Sequence, residues 1–192
     1  MQRYVKLLII CAMLSASMFA QTRREQQAFS FPGKIDRVHS AIGNLFAAYS
    51  EVSAAQNPIK EYRFLIVGND GNRLVQQDFT RSVEGMWSPF GEQLFVNNFI
   101  GSSQIDCLVW SRTDAHLISL TEVLLHDPNS GPIEGRGAKP PESPENSRFE
   151  LICREWKDID KVLVSLEGDT WAGGEFKYKL IYDLKARKFS WQ

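Results

Sequence analysis

The sequence predicts an all-β protein built from three antiparallel repeats, because one pattern occurs three times along the chain. The pattern is a Trp or His, a tight turn, an apolar strand, a polar loop and a second apolar strand. In all three copies, the returning strand is reached seven positions after the end of the second strand. Because turn length sets hairpin register, equal turns indicate one supersecondary unit used three times. The three spacings run from Val67 to Leu74, Trp110 to Leu117 and Tyr182 to Phe189.

The composition of the strands predicts that sheets stack on sheets. Runs such as 64–67 and 162–164 are apolar at consecutive positions, whereas a half-exposed strand alternates apolar with polar residues. Consecutive apolar residues indicate that both faces of a sheet are covered. In an all-β chain this favours either an open or incomplete β-propeller or, as the alternative, a small β-sandwich.

Residues 1–20 have the pattern of a secretory signal peptide. Arg3 and Lys6 precede the apolar run Leu7–Leu14, and small residues follow up to a predicted cleavage site after Ala20. The apolar region is shorter than the roughly 20 residues that cross a bilayer. We therefore expect a periplasmic or secreted protein, without stable membrane insertion after cleavage.

The rest of the chain is predicted to form one domain. A disordered N-terminus is expected at 21–28, and residues 29–192 form a single β-propeller-like domain with a long loop at 127–147 that is dense in Pro, Gly, Ser and Asn. The domain begins with a short strand at 29–31, and a short helix is predicted at 121–126. The six strands of the three units are predicted at 45–49, 63–67, 94–97, 107–110, 162–164 and 179–182.

The clearest copy of the repeat, Trp87-Ser88-Pro89-Phe90-Gly91-Glu92-Gln93-Leu94-Phe95-Val96-Asn97, resembles the blade signature of TolB-like and tryptophan-aspartate-repeat β-propellers. It departs from that signature at Phe90, where those repeats usually carry Asp. The stretch 156–164 is a degenerate second copy and 39–49 a weaker third. The resemblance implies propeller-like blades and no particular activity. Because closed propellers have typically 4–8 blades, three units imply an open or incomplete one.

Charge and motif content exclude several functional classes. The formal net charge of −1 argues against a nucleic-acid partner, which would require a basic stripe. The three His residues do not form a metal-ligand array, and neither a Gly-x-Ser-x-Gly elbow nor a phosphate-binding loop occurs. We therefore predict no catalytic, cofactor-binding or metal-binding residues, and no cofactor.

The sequence contains two weak catalytic candidates, each with an ordinary structural alternative. Asp106 with Glu167 and Asp169 would supply paired carboxylates for hydrolysis, although acidic residues beside glycine usually form turns. Cys107 with His116 would supply a nucleophile and a base, but burial in an apolar strand leaves a thiol inert.

A calcium loop is also disfavoured. The stretch 69–72 resembles the start of such a loop, but Gln77 stands where the bidentate Glu is required. Its Asp70-Gly71 step is a strong hairpin signal.

Cys107 and Cys153 form an even pair in a chain predicted to reach an oxidising compartment. A disulfide between them and two buried free thiols are both compatible with their apolar surroundings. Trp171, in a polar Gly-containing loop, is the candidate exposed recognition residue, because Trp is enriched in binding hot spots.

These observations predict an exported, non-catalytic domain that binds a protein or cell-envelope partner. One alternative is a periplasmic hydrolase that uses the loop carboxylates. The other is a structural subunit that completes a propeller by self-association.

Overall fold

The computed structural model of the chain describes residues 27–52, 60–89, 91–101, 104–126, 147–170 and 175–192. Within these residues the chain forms thirteen strands and one helix, α1. Their bounds are β1 Ala28–Phe31, β2 Arg37–His39, β3 Leu45–Glu51, β4 Tyr62–Gly68, β5 Arg73–Phe79, β6 Val83–Trp87, β7 Gln93–Gly101, β8 Gln104–Ser111, β9 Ile118–Ser119, α1 Leu120–His126, β10 Ser147–Trp156, β11 Lys161–Thr170, β12 Glu175–Asp183 and β13 Lys188–Trp191.

The strands form three antiparallel sheets, each built on a four-stranded meander. The first sheet has the order β2-β3-β4-β5 and the last sheet has the order β10-β11-β12-β13. The middle sheet has the order β1-β6-β7-β8-β9, so it contains a fifth strand, β1, paired with the edge of β6. The predicted all-β class and the three antiparallel units are confirmed. The described sheets do not close into a barrel, and their stacking fits the sandwich alternative.

Two apolar cores place the middle sheet between the other two. Alternate residues of a strand point to opposite faces. On β7, Leu94 and Val96 join the core shared with the first sheet, whereas Phe95 joins the core shared with the last sheet. The middle sheet is therefore covered on both faces, as its consecutive apolar residues predict.

The turn between the first and second strands has the same hydrogen bonds in the first sheet, where it joins β2 to β3, and in the middle sheet, where it joins β6 to β7. In the first sheet the Ser40 amide donates to the Leu45 carbonyl, and the Leu45 amide donates to Ser40 Oγ at 3.3 Å. In the middle sheet Ser88 and Gln93 repeat both bonds, again with 3.3 Å to Ser88 Oγ. Gly43 and Gly91 occupy equivalent turn positions at φ 72° and 69°, a conformation that glycine adopts without steric cost.

Tryptophan side chains repeat the step from one sheet to the next. Trp87, the last residue of β6, donates its indole N–H to the Val38 carbonyl of the first sheet at 3.3 Å. Trp156, the last residue of β10, donates in the same way to the Met86 carbonyl of the middle sheet at 3.0 Å. Since Val38 directly precedes His39 and Met86 directly precedes Trp87, the two contacts are equivalent. The sheets thus stack head to tail, and the tryptophans of the middle and last sheets each donate to the sheet that precedes them.

Several local predictions are refined by the structure. Trp87 ends strand β6 and is not part of the turn that follows, and Ser147, predicted to end the long loop, begins β10. The predicted helix is α1, and Ser119 Oγ accepts a hydrogen bond from the Glu122 amide at its start. The predicted signal peptide and the remainder of the 127–147 loop lie outside the described residues.

Candidate functional site

Of the three carboxylates that the hydrolase alternative requires, Asp106 lies on the middle sheet, whereas Glu167 and Asp169 lie on the last sheet. Asp106, on β8 of the middle sheet, accepts a hydrogen bond from Thr121 Oγ1 at 2.7 Å, and burial raises its pKa. Glu167, on β11 of the last sheet, accepts from Lys177 Nζ at 2.7 Å and from Arg154 Nη2 at 2.8 Å. The hydrogen bond from Lys177, together with the one from Arg154, lowers the Glu167 pKa. Asp169 lies on the same strand as Glu167, and the two residues line one cleft together with Lys177.

Cys107 and Cys153 meet where the middle and last sheets pack together. Cys107 on β8 and Cys153 on β10 form a disulfide with their Cα atoms 5.6 Å apart, a separation that suits such a bridge. Both residues are buried. Cys107 therefore has no free thiol to serve as a nucleophile, and His116 lies exposed in the turn before β9.

The stretch 69–72 forms the hairpin turn between β4 and β5. Asp70 Oδ1 accepts from the Asn72 amide at 3.0 Å, and this backbone hydrogen bond is the main cause of the lowered Asp70 pKa. Among the described residues, no group of three or more His, Cys, Asp or Glu side chains is placed to hold a metal ion. Trp171 lies outside the described residues.

The structural feature with the clearest capacity for binding is a groove of about 610 Å³ between the middle and last sheets. Its floor is the face of the middle sheet that looks towards the last sheet, and its wall is strand β10. Apolar side chains dominate the floor, with Glu84 and Arg154 as charged groups beside them. The residues that line it are Ala28, Phe29, Ser30, Glu84, Gly85, Met86, Phe95, Asn97, Phe99, Ile105, Ile152, Cys153 and Arg154.

The groove exists because the last sheet covers only part of the middle sheet. Strand β10 packs against β8 and, to a lesser extent, against β7. The side chains of β1 that look towards the last sheet, Ala28 and Ser30, consequently remain exposed, while Phe29 and Phe31 on the opposite face are buried. A strip of the middle sheet thus faces solvent beside the edge of β10.

Asn97 fixes the position of the groove wall. Its Nδ2 donates to the Cys153 carbonyl and its Oδ1 accepts from the Cys153 amide, both at 2.9 Å. A bulge between Cys153 and Glu155 follows directly. Asn97 is buried, and its two bonds attach the edge of β10 to the middle sheet at Cys153. The rest of that edge, on both sides of Cys153, is not engaged by Asn97.

A second, more polar cleft of about 360 Å³ lies among the turns of the middle and last sheets. Two hydrogen bonds between side chains of the middle and last sheets lie beside it. Gln93 Nε2 donates to Asp160 Oδ1 at 3.1 Å, and Arg187 Nη2 donates to Asp114 Oδ1 at 3.0 Å. These two hydrogen bonds join the middle and last sheets beside the cleft.

Sequence reasoning did not identify the groove residues. Phe99, Ile105 and Ile152 resemble core residues, because each lies in an apolar strand. One available signal was Asn97, a polar residue that follows Leu94-Phe95-Val96 on the predicted strand. A buried amide at such a position requires hydrogen-bond partners, and here they are the backbone groups of the neighbouring sheet.

The protein is thus a stack of three antiparallel sheets, with an apolar groove beside the edge of one strand. No family model, curated protein or solved structure matches the chain. In the part of the chain that the structure describes, no helix has the length and apolar character needed to cross a membrane.

Proposed function

We propose that this chain is an exported, non-catalytic domain that binds a protein or cell-envelope partner, and that the groove beside β10 is its binding surface. The observation that carries the proposal is the groove itself, where Phe95, Phe99 and Ile105 of the middle sheet lie next to an open strand edge. Grooves with an apolar floor and a few polar groups at the margin are typical binding sites. Export rests on the predicted signal peptide at residues 1–20.

The architecture that fits this role is an incomplete propeller-like stack. The equivalent indole contacts of Trp87 and Trp156, and the equivalent turns at Ser40 and Ser88, support a single unit repeated along the chain. In this interpretation the three meanders are three blades. Propellers bind partners on rigid, repeated scaffolds, so the proposal needs no moving part.

Photo-crosslinking in cells that export the chain tests the proposal. A photoreactive phenylalanine analogue at position 99 is directed into the groove. The matched control is position 100, because Ile100 belongs to the same strand, is 45% exposed and does not line the groove. We expect one discrete protein or envelope adduct from position 99 and no such adduct from position 100. Equal labelling from both positions, or none from position 99, would contradict the proposal.

Self-association is a second candidate function, and the outer face of the first sheet favours it. That face presents Phe46, Leu65 and Val67 in a half-exposed apolar strip. The guanidinium of Arg37 lies 4.4 Å from the centre of the Phe46 ring. Two such faces would bury their apolar strips against each other, as stacked sheets do.

The oligomeric state tests this second candidate. Leu65→Lys places a charge at the centre of the strip, and Gln104→Lys, at an exposed position of β8 in the middle sheet, is the control. Light scattering on the native chain should show a dimer that only Leu65→Lys converts to a monomer. A monomeric native chain at micromolar concentration removes this candidate and leaves the groove proposal intact.

A further inference from the structure

The groove occupies the place of a strand that the last sheet lacks. Strands β6 and β10 are equivalent, because each is the first strand of its meander and ends in the tryptophan that reaches back to the preceding sheet. Their pairing with the next strand is also equivalent. Trp87 pairs with Leu94 as Trp156 pairs with Val162.

In the middle sheet, the outer edge of β6 is occupied by β1. Phe29 pairs with Gly85 and Phe31 pairs with Val83, and the Trp87 amide donates to the Gln27 carbonyl at 3.2 Å. The ring of Phe29 lies directly over Gly85, where an added Cβ would come within 2.4 Å of it. The chain itself therefore shows which kind of strand fits this edge: a short one with apolar side chains at alternate positions.

In the last sheet, the equivalent edge belongs to β10 and has no neighbouring strand among the described residues. Counting across the bulge, Cys153 corresponds to Gly85 and Leu151 corresponds to Val83. The bonds from Asn97 to Cys153 show that the backbone groups of Cys153 point away from β11. Because this direction alternates along an antiparallel strand, the N–H and C=O of Leu151 point the same way, towards the groove.

We propose that the groove accepts an extended peptide segment of a partner protein, which adds to β10 as a fifth strand of the last sheet. This inference rests on the proposed function and names the chemistry of the partner. The segment pairs its backbone with β10 from Leu151 towards Phe149, and it carries apolar side chains at alternate positions that pack on the half-buried Phe99 and Ile105. Backbone pairing supplies affinity in this binding mode, and the alternate side chains supply selectivity.

Asn97 limits the register of the added strand. Its amide already satisfies both backbone groups of Cys153, so pairing of an incoming strand ends before that residue. A polar side chain that occupies part of an exposed edge is a known protection against uncontrolled sheet-to-sheet association. The site is accordingly suited to a short segment and not to the long edge of another sheet.

A labelled peptide with the sequence of residues 27–31, Gln-Ala-Phe-Ser-Phe, is the probe, since this is the segment that the chain places on the equivalent edge. The control peptide replaces both Phe residues with Asp. Fluorescence anisotropy with the full exported chain should show saturable binding of the first peptide only. Amide hydrogen exchange should slow at 149–151 in the complex and remain unchanged in β13, the other edge strand of the last sheet.

A variant at an exposed position makes the test independent of folding. Ser30→Arg fills the groove from β1, where the Ser30 side chain is exposed. Gln76→Arg, equally exposed on the first sheet, is the control. We expect Ser30→Arg to weaken peptide binding by about tenfold or more, as the loss of a central contact does, and Gln76→Arg to leave it unchanged.

The outcomes separate this inference from the proposed function. Peptide binding that survives Ser30→Arg, or that leaves exchange at 149–151 unchanged, overturns strand addition. Discrete adducts from position 99 without saturable peptide binding also overturn strand addition, yet they support the binding function. Absence of both adducts and peptide binding overturns the two together.

Discussion

The two junctions between sheets repeat the same tryptophan contact, but different chemistry closes each of them. Between the first and middle sheets the contact surface is aromatic, with the Phe31 and Tyr49 rings stacked 5.4 Å apart and the Trp87 and Trp110 rings edge to face at 6.3 Å. Between the middle and last sheets, Cys107 bonds covalently to Cys153.

Polar contacts add to the disulfide at the junction of the middle and last sheets. Asn97 bonds to the backbone of Cys153, and Gln93 bonds to Asp160. The difference follows from coverage. The extra strand β1 completes the apolar surface of the first junction, whereas a groove stays open beside the second. Directional bonds add to the apolar core of the second junction.

The largest loss of stability is expected from Trp87→Ala, which tests the junction between the first and middle sheets. The Trp87 side chain is fully buried between the first and middle sheets, and deleting such a side chain leaves a cavity that costs about 3–5 kcal/mol. Chemical denaturation measures the loss. Arg112→Ala is the control, because Arg112 is exposed and its ion pair with Glu92 is long, at 3.9 Å. A loss for Trp87→Ala no larger than that of the control would show that the aromatic core does not hold the first junction.

Removing the disulfide tests the second junction. The double change Cys107→Ala and Cys153→Ala opens a cross-link between residues 46 positions apart, and such a loss typically costs about 2–4 kcal/mol. Because the bridge joins the middle and last sheets, amide hydrogen exchange should accelerate in β10–β13 more than in β2–β5. Uniform acceleration across all three sheets would contradict the assignment of the bridge to one junction.

A smaller effect at the same junction is expected from Asn97→Leu. The change removes the acceptor and the donor that satisfy Cys153, and an unsatisfied buried backbone group costs about 1–3 kcal/mol. Asn98→Leu, at the next position of β7, is the matched control. The difference between the two midpoints in urea measures the contribution of the Asn97 bonds. If Asn98→Leu destabilises the chain as much as Asn97→Leu, the hydrogen bonds of Asn97 make no specific contribution to stability.

The smallest effect is a pH dependence that arises inside the middle sheet. Burial raises the Asp106 pKa in the folded chain, so the folded state favours the protonated carboxyl relative to the unfolded state. The resulting contribution to stability is complete below the unfolded pKa of about 3.9 and is lost as pH rises through the folded pKa.

Asp106→Asn removes this titration. The free energy of unfolding of the native chain, relative to that of the variant, should therefore fall as pH rises from the acid range. Thermal unfolding measured as a pH series checks the sign. A difference that stays constant with pH would show that Asp106 does not titrate as its burial predicts.

The fold was largely predictable because its determinants are local. The Asp70-Gly71 hairpin, the equal seven-residue returns and the consecutive apolar residues are properties of single stretches, and they specified six strands at their correct places. The first strands of the first two meanders, β2 and β6, escaped detection. β2 is very short, and in β6 Val83-Glu84-Gly85-Met86 contains a glycine, which weakens a strand pattern.

The groove was not predictable, because it depends on how far one sheet is displaced across another. Nothing in the stretch 147–156 specifies that β10 packs on β8 and leaves one face of β1 and part of β6 uncovered. The partner of Asn97 is equally remote, since Cys153 lies 56 positions away in the sequence. Local patterns determine which strands form, whereas the offset between sheets is a property of the assembled cores.

The head-to-tail stacking also gives the molecule one end that permits growth and one end that terminates it. His39 stands at the tryptophan position of the first sheet, on an outer face that a preceding unit of the same kind would cover. The outer face of the last sheet instead carries the ion pairs of Glu167 with Arg154 and Lys177. A charged terminal repeat is the device with which repeat proteins stay soluble. Gene duplication or design would therefore lengthen this stack ahead of the first sheet and not behind the last.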